Sequence, residues 1–305
     1  MKAGRIVITV VFLLALTQLA VGQYVSQTVG SAGNIDWSKR VVRATGIGAP
    51  NPDHPPAAQR AGAIAAAKAA ALRNLLETTK GVYLTSETTV RNAMLENDII
   101  ETKVSGIIQG YTVVDIKYMS TADVEVTVEI AVDGDLSNAL LGEEFGGATY
   151  TGGQPLCPVC GQPWPAGKPV PAGVQLVQPS SQYASEAAAS MGGTYTGLIV
   201  DTQGLGVRPA MSPKIMDESG QEVYGSKYVS REWAVEQGMV GYDKNINTAR
   251  ANDRVTNNPL IVKALKTSGP NKADVVVSSA DAAKIHAAAQ NMNFIDKCKV
   301  MFIVD

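Results

Sequence analysis

The chain has 305 residues, of which 45% are apolar and 18% are charged, a balance that is typical of globular proteins and excludes a wholly disordered chain. Lys and Arg number 26 against 28 Asp and Glu, so the basic excess of a nucleic-acid-binding protein is missing. The length is typical of two domains. Two histidines and three cysteines leave few side chains for metal or nucleophile chemistry. The composition therefore favours a non-enzymatic function without a cofactor.

Residues 1–22 are predicted to be a secretory signal peptide. Lys2 and Arg5 precede an apolar run at 6–16, and small residues, Ala20 and Gly22, stand at the −3 and −1 positions of a cleavage site. The run is much shorter than the ~20 residues that span a bilayer, and no cysteine follows it to carry a lipoprotein anchor. We expect a mature periplasmic or extracellular protein with no transmembrane segment.

Residues 35–145 are predicted to form an α+β domain. The chain alternates from Val41 as a half-buried strand does, and a proline-rich stretch then ends the strand, because proline cannot donate ladder hydrogen bonds. Residues 57–79 are nearly all strong helix formers, with alanines along one face. They predict a long helix that packs closely on a sheet and ends at Gly81 in the left-handed conformation.

The rest of this domain is predicted to be mainly strand. Residues 82–90 form a β-rich run, and a short helix is expected at 91–100. Residues 107–118 and 123–132 predict a hairpin, since valines alternate with polar residues in its second strand. The domain is therefore one long Ala-rich helix on a small, mostly antiparallel sheet.

The polar face of the second hairpin strand is a candidate interaction surface. Glu125, Thr127 and Glu129 alternate with the inward-facing apolar residues. Antiparallel sheets often pack one face on the core and leave the other face exposed to solvent. We expect this face or the sheet edge to contact another protein or another copy of the chain.

Four spaced segments of this domain carry a family resemblance. They read AALRNLLETTKGV at 70–82, TTV at 88–90, VSGIIQG at 104–110 and VV at 113–114, followed by an acidic strand. This part of the chain resembles the twenty-kilodalton lipoprotein (Lpp-twenty) family, which includes FlgP-like ring lipoproteins and the N-terminal domain of flagellar assembly protein T (FlgT). The resemblance implies a cell-envelope module with envelope or flagellar ring proteins as partners. It implies no catalytic residues, and the family's lipid-bearing cysteine has no counterpart here.

Residues 146–193 are predicted to be a flexible linker, because glycines and prolines interrupt any regular element. Cys157 and Cys160 form a C-x-x-C-G motif within it. An oxidising compartment favours a local disulfide, a zinc site needs further ligands, and a thioredoxin-like redox pair needs a βαβ setting. All three interpretations stay open. The alternative function is a periplasmic protein that binds a metal through this pair or a small ligand in the interdomain cleft.

Residues 194–305 are predicted to form a second α+β domain with strands of mixed direction. The expected elements are strands at 195–201, 274–278 and 297–304, a hairpin around Gly220, and helices at 231–237 and 279–290.

Two weaker features of this domain favour structure over chemistry. Cys298 and His286 are near enough in sequence for a Cys-His couple, but a lone buried cysteine in a strand is commoner. Arg208 lies between Asp201 and Asp217. A structural ion pair is expected there in preference to a carboxylate-binding site.

Overall fold

The computed structural model describes residues 24–142, 145–146, 169, 171, 195–291 and 293–305. These residues form two β-sheets and seven helices, which confirms the predicted α+β class. The predicted signal peptide lies outside the described residues, as does nearly all of the predicted linker, including Cys157 and Cys160.

An antiparallel sheet of five strands forms the N-terminal domain. The strands are β1 (Ser26–Val29), β2 (Gly33–Asp36), β3 (Val41–Gly48), β4 (Thr112–Tyr118) and β5 (Val124–Ala131). Their spatial order is β1-β2-β3-β5-β4. The predicted hairpin is β4 paired with β5, and the valines of β5 face the core while its polar residues face away.

One long helix covers the inner face of this sheet, as predicted. The helices of the domain are α1 (Pro56–Lys80), α2 (Val90–Glu96), α3 (Asp98–Gln109) and α4 (Asp135–Leu140). Ala67 and Ala71 of α1 are fully buried against β3. A Cβ atom on Gly46 would lie 2.1 Å from the backbone nitrogen of Ala71. Small residues on both elements therefore let the helix backbone lie directly on the strand.

Three local predictions in this domain are wrong. The 82–90 run is not a strand, because its only ladder contact is an isolated bridge between Tyr83 and Thr89. The residues from 98 to 109 are helical, so the hairpin begins at Thr112. Gly81 ends α1 with a φ of −80°. A Cβ atom at this position would lie 2.8 Å from the Val29 side chain, which would have to move to accept it.

A mixed sheet of seven strands forms the C-terminal domain. The strands are β6 (Gly197–Asp201), β7 (Ile215–Met216), β8 (Glu222–Tyr224), β9 (Gly241–Asp243), β10 (Pro259–Ser268), β11 (Asp274–Val277) and β12 (Val300–Ile303). Their order is β8-β7-β11-β10-β6-β12-β9. Strands β10, β6, β12 and β9 are mutually parallel, whereas β11 is antiparallel to β10 and β8 to β7. The predicted mixture of directions is confirmed.

Both faces of the central strands in this sheet are covered. Leu198 and Phe302 pack into the core that the two domains share, whereas Ile199 and Met301 pack on the opposite side with Ala249. The helices of the domain are α5 (Arg231–Gln237), α6 (Ile246–Arg250) and α7 (Ser279–Asn291).

The long strand β10 was not predicted. Its outward positions include Ile261 and Leu265, which are exposed, so the apolar and polar residues do not alternate cleanly. The predicted final strand also starts later, at Val300. Cys298 lies in the preceding turn with a φ of 53°.

Candidate functional site

The two domains pack against each other through the segment that was predicted to be a strand. The carbonyl oxygen of Leu84 accepts from the amide of Ser212 at 2.8 Å, and that of Ser86 accepts from Asn271 at 2.8 Å. Carbonyl groups of this segment thus find donors in the other domain instead of in a strand ladder.

A buried carboxylate fixes the same contact. The Ser86 hydroxyl donates to Asp274 Oδ2 at 2.6 Å, and the backbone nitrogen of Lys214 donates to Oδ1 at 2.8 Å. Burial raises the pKa of Asp274 above its ordinary value, against the lowering effect of these hydrogen bonds. Each oxygen of this carboxylate has a donor, so the contact is specific as well as buried.

An aromatic contact joins the domains at a second place. The rings of Trp37 and Tyr242 meet edge to face with 5.6 Å between centroids. The Tyr242 hydroxyl donates to the Ala210 carbonyl at 2.8 Å, and burial raises its pKa above the ordinary value. Edge-to-face packing with a satisfied hydroxyl is a stabilising arrangement for a buried tyrosine.

Two cavities lie between the domains. The first, which we name the Arg254 cavity, has a volume of about 310 Å³ and is lined by Trp37 and Arg40 from one domain and by Gly241 and Arg254 from the other. Gly241 begins β9, and Met301 of β12 also lines the wall. This cavity therefore lies at the amino ends of the parallel strands.

The guanidinium of Arg254 is held by backbone carbonyls. It donates to Gly238 O at 3.0 Å, to Cys298 O at 2.6 Å and also to Gln237 O. Burial lowers its pKa to about 10, which leaves it charged at neutral pH. Arg254 thus satisfies carbonyl groups in the turns before β9 and β12, which is a structural role.

A carboxylate stands beside the second arginine of this cavity. Asp133 Oδ2 pairs with Arg40 Nε at 2.8 Å, while Asp133 Oδ1 is buried and has no hydrogen-bond partner among the described residues. Burial raises the pKa of Asp133 although Arg40 and Arg254 lower it. The ion pair with Arg40 favours the charged carboxylate, whereas burial favours the neutral acid. Burial prevails because one carboxylate oxygen is buried with no donor in the described part of the chain to stabilise its charge.

The second cavity, which we name the Arg208 cavity, has a volume of about 280 Å³. Tyr83 of the N-terminal domain and Arg208, Lys244 and Asp305 of the C-terminal domain are among its lining residues. Lys244 directly follows β9, Asp305 closely follows β12, and Arg208 lies in the loop after β6. This cavity therefore lies at the carboxyl ends of the parallel strands, where open α/β sheets bind ligands.

The cations of the Arg208 cavity have no carboxylate partner among the residues that the structure describes. Arg208 donates to the Tyr83 hydroxyl at 2.8 Å, with its guanidinium 5.9 Å from the ring centroid. Within the described ranges, neither Arg208 nor Lys244 forms an ion pair. The expected ion pair of Arg208 with Asp201 or Asp217 is therefore wrong.

The carboxylate of this cavity is bound by backbone amides. Asp305 accepts from the backbone nitrogens of Gly204 at 2.7 Å and Gly206 at 3.1 Å. Both glycines have positive φ angles, 81° and 63°, a conformation that glycine adopts readily. The loop thus turns two N–H groups towards one anionic side chain.

The predicted interaction residues lie together on one face, as their spacing requires. Glu125, Thr127 and Glu129 are half-buried on the side of β5 away from α1. Glu129 pairs with Arg43 at 2.7 Å, and Glu125 with Lys117 at 3.1 Å. The charges of this face are balanced by cross-strand partners.

The structure does not assign a nucleophilic role to Cys298. Burial raises the pKa of its thiol to about 12, against the lowering effect of a hydrogen bond with Tyr224. The ring of His286 meets that of Tyr228 edge to face with 6.3 Å between centroids, and burial lowers the pKa of His286. A thiol that is protonated at neutral pH is a poor nucleophile.

The described residues contain no group of three or more His, Cys, Asp or Glu side chains placed to hold a metal ion. None of their helices combines the length and apolar character that a bilayer crossing requires. The disulfide, metal and redox interpretations of Cys157 and Cys160 stay predictions, since both residues lie outside the described ranges.

Residues 197–305 match the family described as the second domain of Treponema pallidum Tp0624. The similarity is confined to the C-terminal domain and spans less than half of the chain. No curated protein shows significant similarity to the chain.

Sequence reasoning missed most of the charged groups between the domains. It considered Arg208, but not Lys244 or Arg254. A signal for Lys244 was present, because recognition of β9 would have placed this lysine at the carboxyl edge beside the loop after β6. For Arg254 no local signal exists, since its partners are carbonyl groups distant in sequence.

Proposed function

We propose that the chain is an exported, non-enzymatic cell-envelope protein that acts through contacts with other proteins, as an accessory of a flagellar or outer-membrane ring assembly. The resemblance of the N-terminal domain to the twenty-kilodalton lipoprotein family supports this assignment. A periplasmic location follows from removal of the signal peptide at residues 1–22. Association with the outer membrane would then depend on protein partners, because the family's lipid-bearing cysteine is missing.

The observation that carries the proposal is the open edge of the N-terminal sheet. Strand β4 is last in the strand order, and no strand in the described part of the chain pairs with its outer edge. Val114 and Tyr118 of this strand are 42% and 54% exposed. An edge strand with exposed apolar side chains can accept a strand from another chain, since its backbone N–H and C=O groups are free to pair.

The predicted interaction face extends this edge. Glu125 lies directly across from Lys117 of β4 in the sheet register. A strand added to β4 would bring its side chains next to this ion pair and, beyond it, to Thr127. The edge provides backbone hydrogen bonds, and the polar face selects the partner by charge.

Site-specific photocrosslinking in the native envelope tests this proposal. A photoreactive amino acid is placed at position 114 on the β4 edge or at position 127 on the polar face, and the control replaces Lys263, which is exposed on β10. We expect 114 and 127 to give the same product, identified by mass spectrometry as an envelope ring protein or a second copy of the chain. Products that form equally from position 263, or none from 114 and 127, would contradict the proposal.

A surface variant sharpens the same test. Tyr118→Glu places a negative charge on the exposed edge without removing a buried side chain. We expect it to reduce the crosslink from position 114 several-fold, because a charge opposes apolar docking. The unfolding midpoint of the purified variant shows whether the domain is intact.

A further inference from the structure

We propose that the Arg208 cavity binds a small organic or inorganic oxyanion, with carboxylate or phosphate groups, between Arg208 and Lys244. This site does not depend on the proposed assembly function, since it lies between the domains and away from the β4 edge. It assigns a ligand-binding activity to the contact between the two domains.

The charge of the cavity is the first argument. Arg208 and Lys244 bring two positive charges to the lining, and neither has an ion-pair partner within the described residues. Asp305 is the only acidic side chain among the lining residues that the structure describes. Its carboxylate is engaged by two backbone amides. The cations therefore remain available to an anion that enters the cavity.

The orientation of Arg208 is the second argument. The Tyr83 hydroxyl accepts one hydrogen bond from the Arg208 Nη1 atom. A guanidinium has five N–H donors, so the tyrosine fixes its direction and leaves further donors for a ligand. The planar fork of arginine matches the two oxygens of a carboxylate or phosphate. Tyr83 belongs to the other domain, so the site exists only when the domains are packed together.

The position and size of the cavity are the third argument. It lies at the carboxyl ends of β6, β9 and β12, the edge at which parallel sheets usually bind ligands. Its volume of about 280 Å³ is at the lower limit of small-molecule sites. A compact anion such as citrate or inorganic phosphate fits this space.

Asp305 provides a test that distinguishes this site from a general electrostatic attraction of anions. Its carboxylate lines the same cavity and repels a bound anion. Replacement of Asp305 by Asn removes the charge and keeps one side-chain oxygen, which can accept from the amide of Gly204 but no longer from that of Gly206 as well. We therefore expect Asp305→Asn to bind the anion more tightly than the natural protein.

Isothermal titration calorimetry of the mature protein with citrate and, separately, with inorganic phosphate tests the inference. We expect saturable binding of at least one probe. Arg208→Gln and Lys244→Gln should each weaken it about tenfold, and Asp305→Asn should strengthen it about threefold. The matched control Lys263→Gln removes an exposed lysine outside the cavity and should leave the affinity unchanged.

Binding of citrate alone or of phosphate alone would support the site and identify the oxyanion that it prefers. The absence of saturable binding with both probes would overturn the inference, as would binding that Arg208→Gln and Lys244→Gln leave unchanged. Arg208 is exposed and Lys244 is half-buried, and we expect both variants to fold. Thermal unfolding checks this, and either variant alone suffices if the other is unstable.

Discussion

The two cavities between the domains use arginine in different ways. In the Arg254 cavity, the guanidinium is buried and donates to three backbone carbonyls, and Arg40 is paired with Asp133. In the Arg208 cavity, the guanidinium is exposed and donates to one tyrosine hydroxyl. The first arginine completes the fold, whereas the second leaves donors for a ligand. The presence of an arginine in a cleft is therefore less informative than the partners that it already has.

The largest expected effect is on stability when Arg254 is replaced. Arg254→Met keeps much of the side-chain volume but removes every donor, so three carbonyl oxygens lose a charged hydrogen-bond partner. We expect the free energy of unfolding to fall by about 3 kcal/mol, measured by urea denaturation.

Arg208→Met is the matched control for this comparison. It removes an exposed guanidinium and a single hydrogen bond to Tyr83, so we expect a loss of only about 0.5 kcal/mol. Equal losses in the two variants would mean that both arginines are structural, and the distinction between the cavities would fail.

An intermediate effect is expected at the contact that positions Tyr83. Ser86→Ala leaves Asp274 without one of its two donors in a buried setting. We expect a loss of about 2 kcal/mol in urea denaturation. Calorimetry of this variant should also show weaker citrate or phosphate binding, because Tyr83 lies three residues before Ser86.

A double-mutant cycle with Asp274→Asn separates this contact from other effects of the substitution. We expect a coupling energy of about 1 kcal/mol between Ser86 and Asp274. A coupling near zero would show that the hydroxyl does not stabilise the carboxylate.

The smallest expected effect is the pH dependence that Asp133 adds to the Arg254 cavity. Because the pKa of Asp133 is raised in the folded state, the folded protein holds this proton to a higher pH than the unfolded chain does. In the pH window between the pKa of the unfolded chain and that of the folded protein, unfolding releases this proton. The Asp133 contribution to the free energy of unfolding therefore falls as pH rises through this window. Below and above the window, the contribution is constant.

Urea denaturation of the natural protein and of Asp133→Asn, between about pH 3.5 and pH 7, measures this contribution as the difference between the two profiles. We expect the natural protein to lose stability relative to the variant as pH rises. The opposite slope would mean that the ion pair with Arg40 outweighs burial and that Asp133 behaves as an ordinary paired carboxylate.

Local periodicity made α1, β3 and β5 of the N-terminal domain predictable. The helix α1 follows from a run of strong helix formers, and β5 follows from alternating valines. The same reasoning wrongly predicted a strand at 82–90, because the composition of this run is typical of a strand. Three of its carbonyl groups instead accept hydrogen bonds from the amides of Met211, Ser212 and Asn271, a competition that no local pattern reveals.

In the candidate sites, too, some features follow from local spacing and others depend on tertiary contacts. The spacing of Glu125, Thr127 and Glu129 placed them correctly on one face, since the period of a strand is two residues. Their ion pairs with Lys117 and Arg43 depend on strand register and were not predicted. The Arg208 cavity was also inaccessible to sequence reasoning, because Tyr83 and Arg208 are 125 positions apart.

The sequence by itself determined the α+β class, the long helix on an antiparallel sheet and most elements of the second domain, because each is encoded in short-range apolar spacing and helix or turn chemistry. Only the tertiary structure decided which polar groups are satisfied. Arg254 and Asp274 find their partners through contacts between distant segments, whereas Arg208 and Lys244 line a cavity and form no ion pair with the described part of the chain. Whether a charge is structural or available to a ligand depends on its surroundings in space, and the order of residues does not specify those surroundings locally.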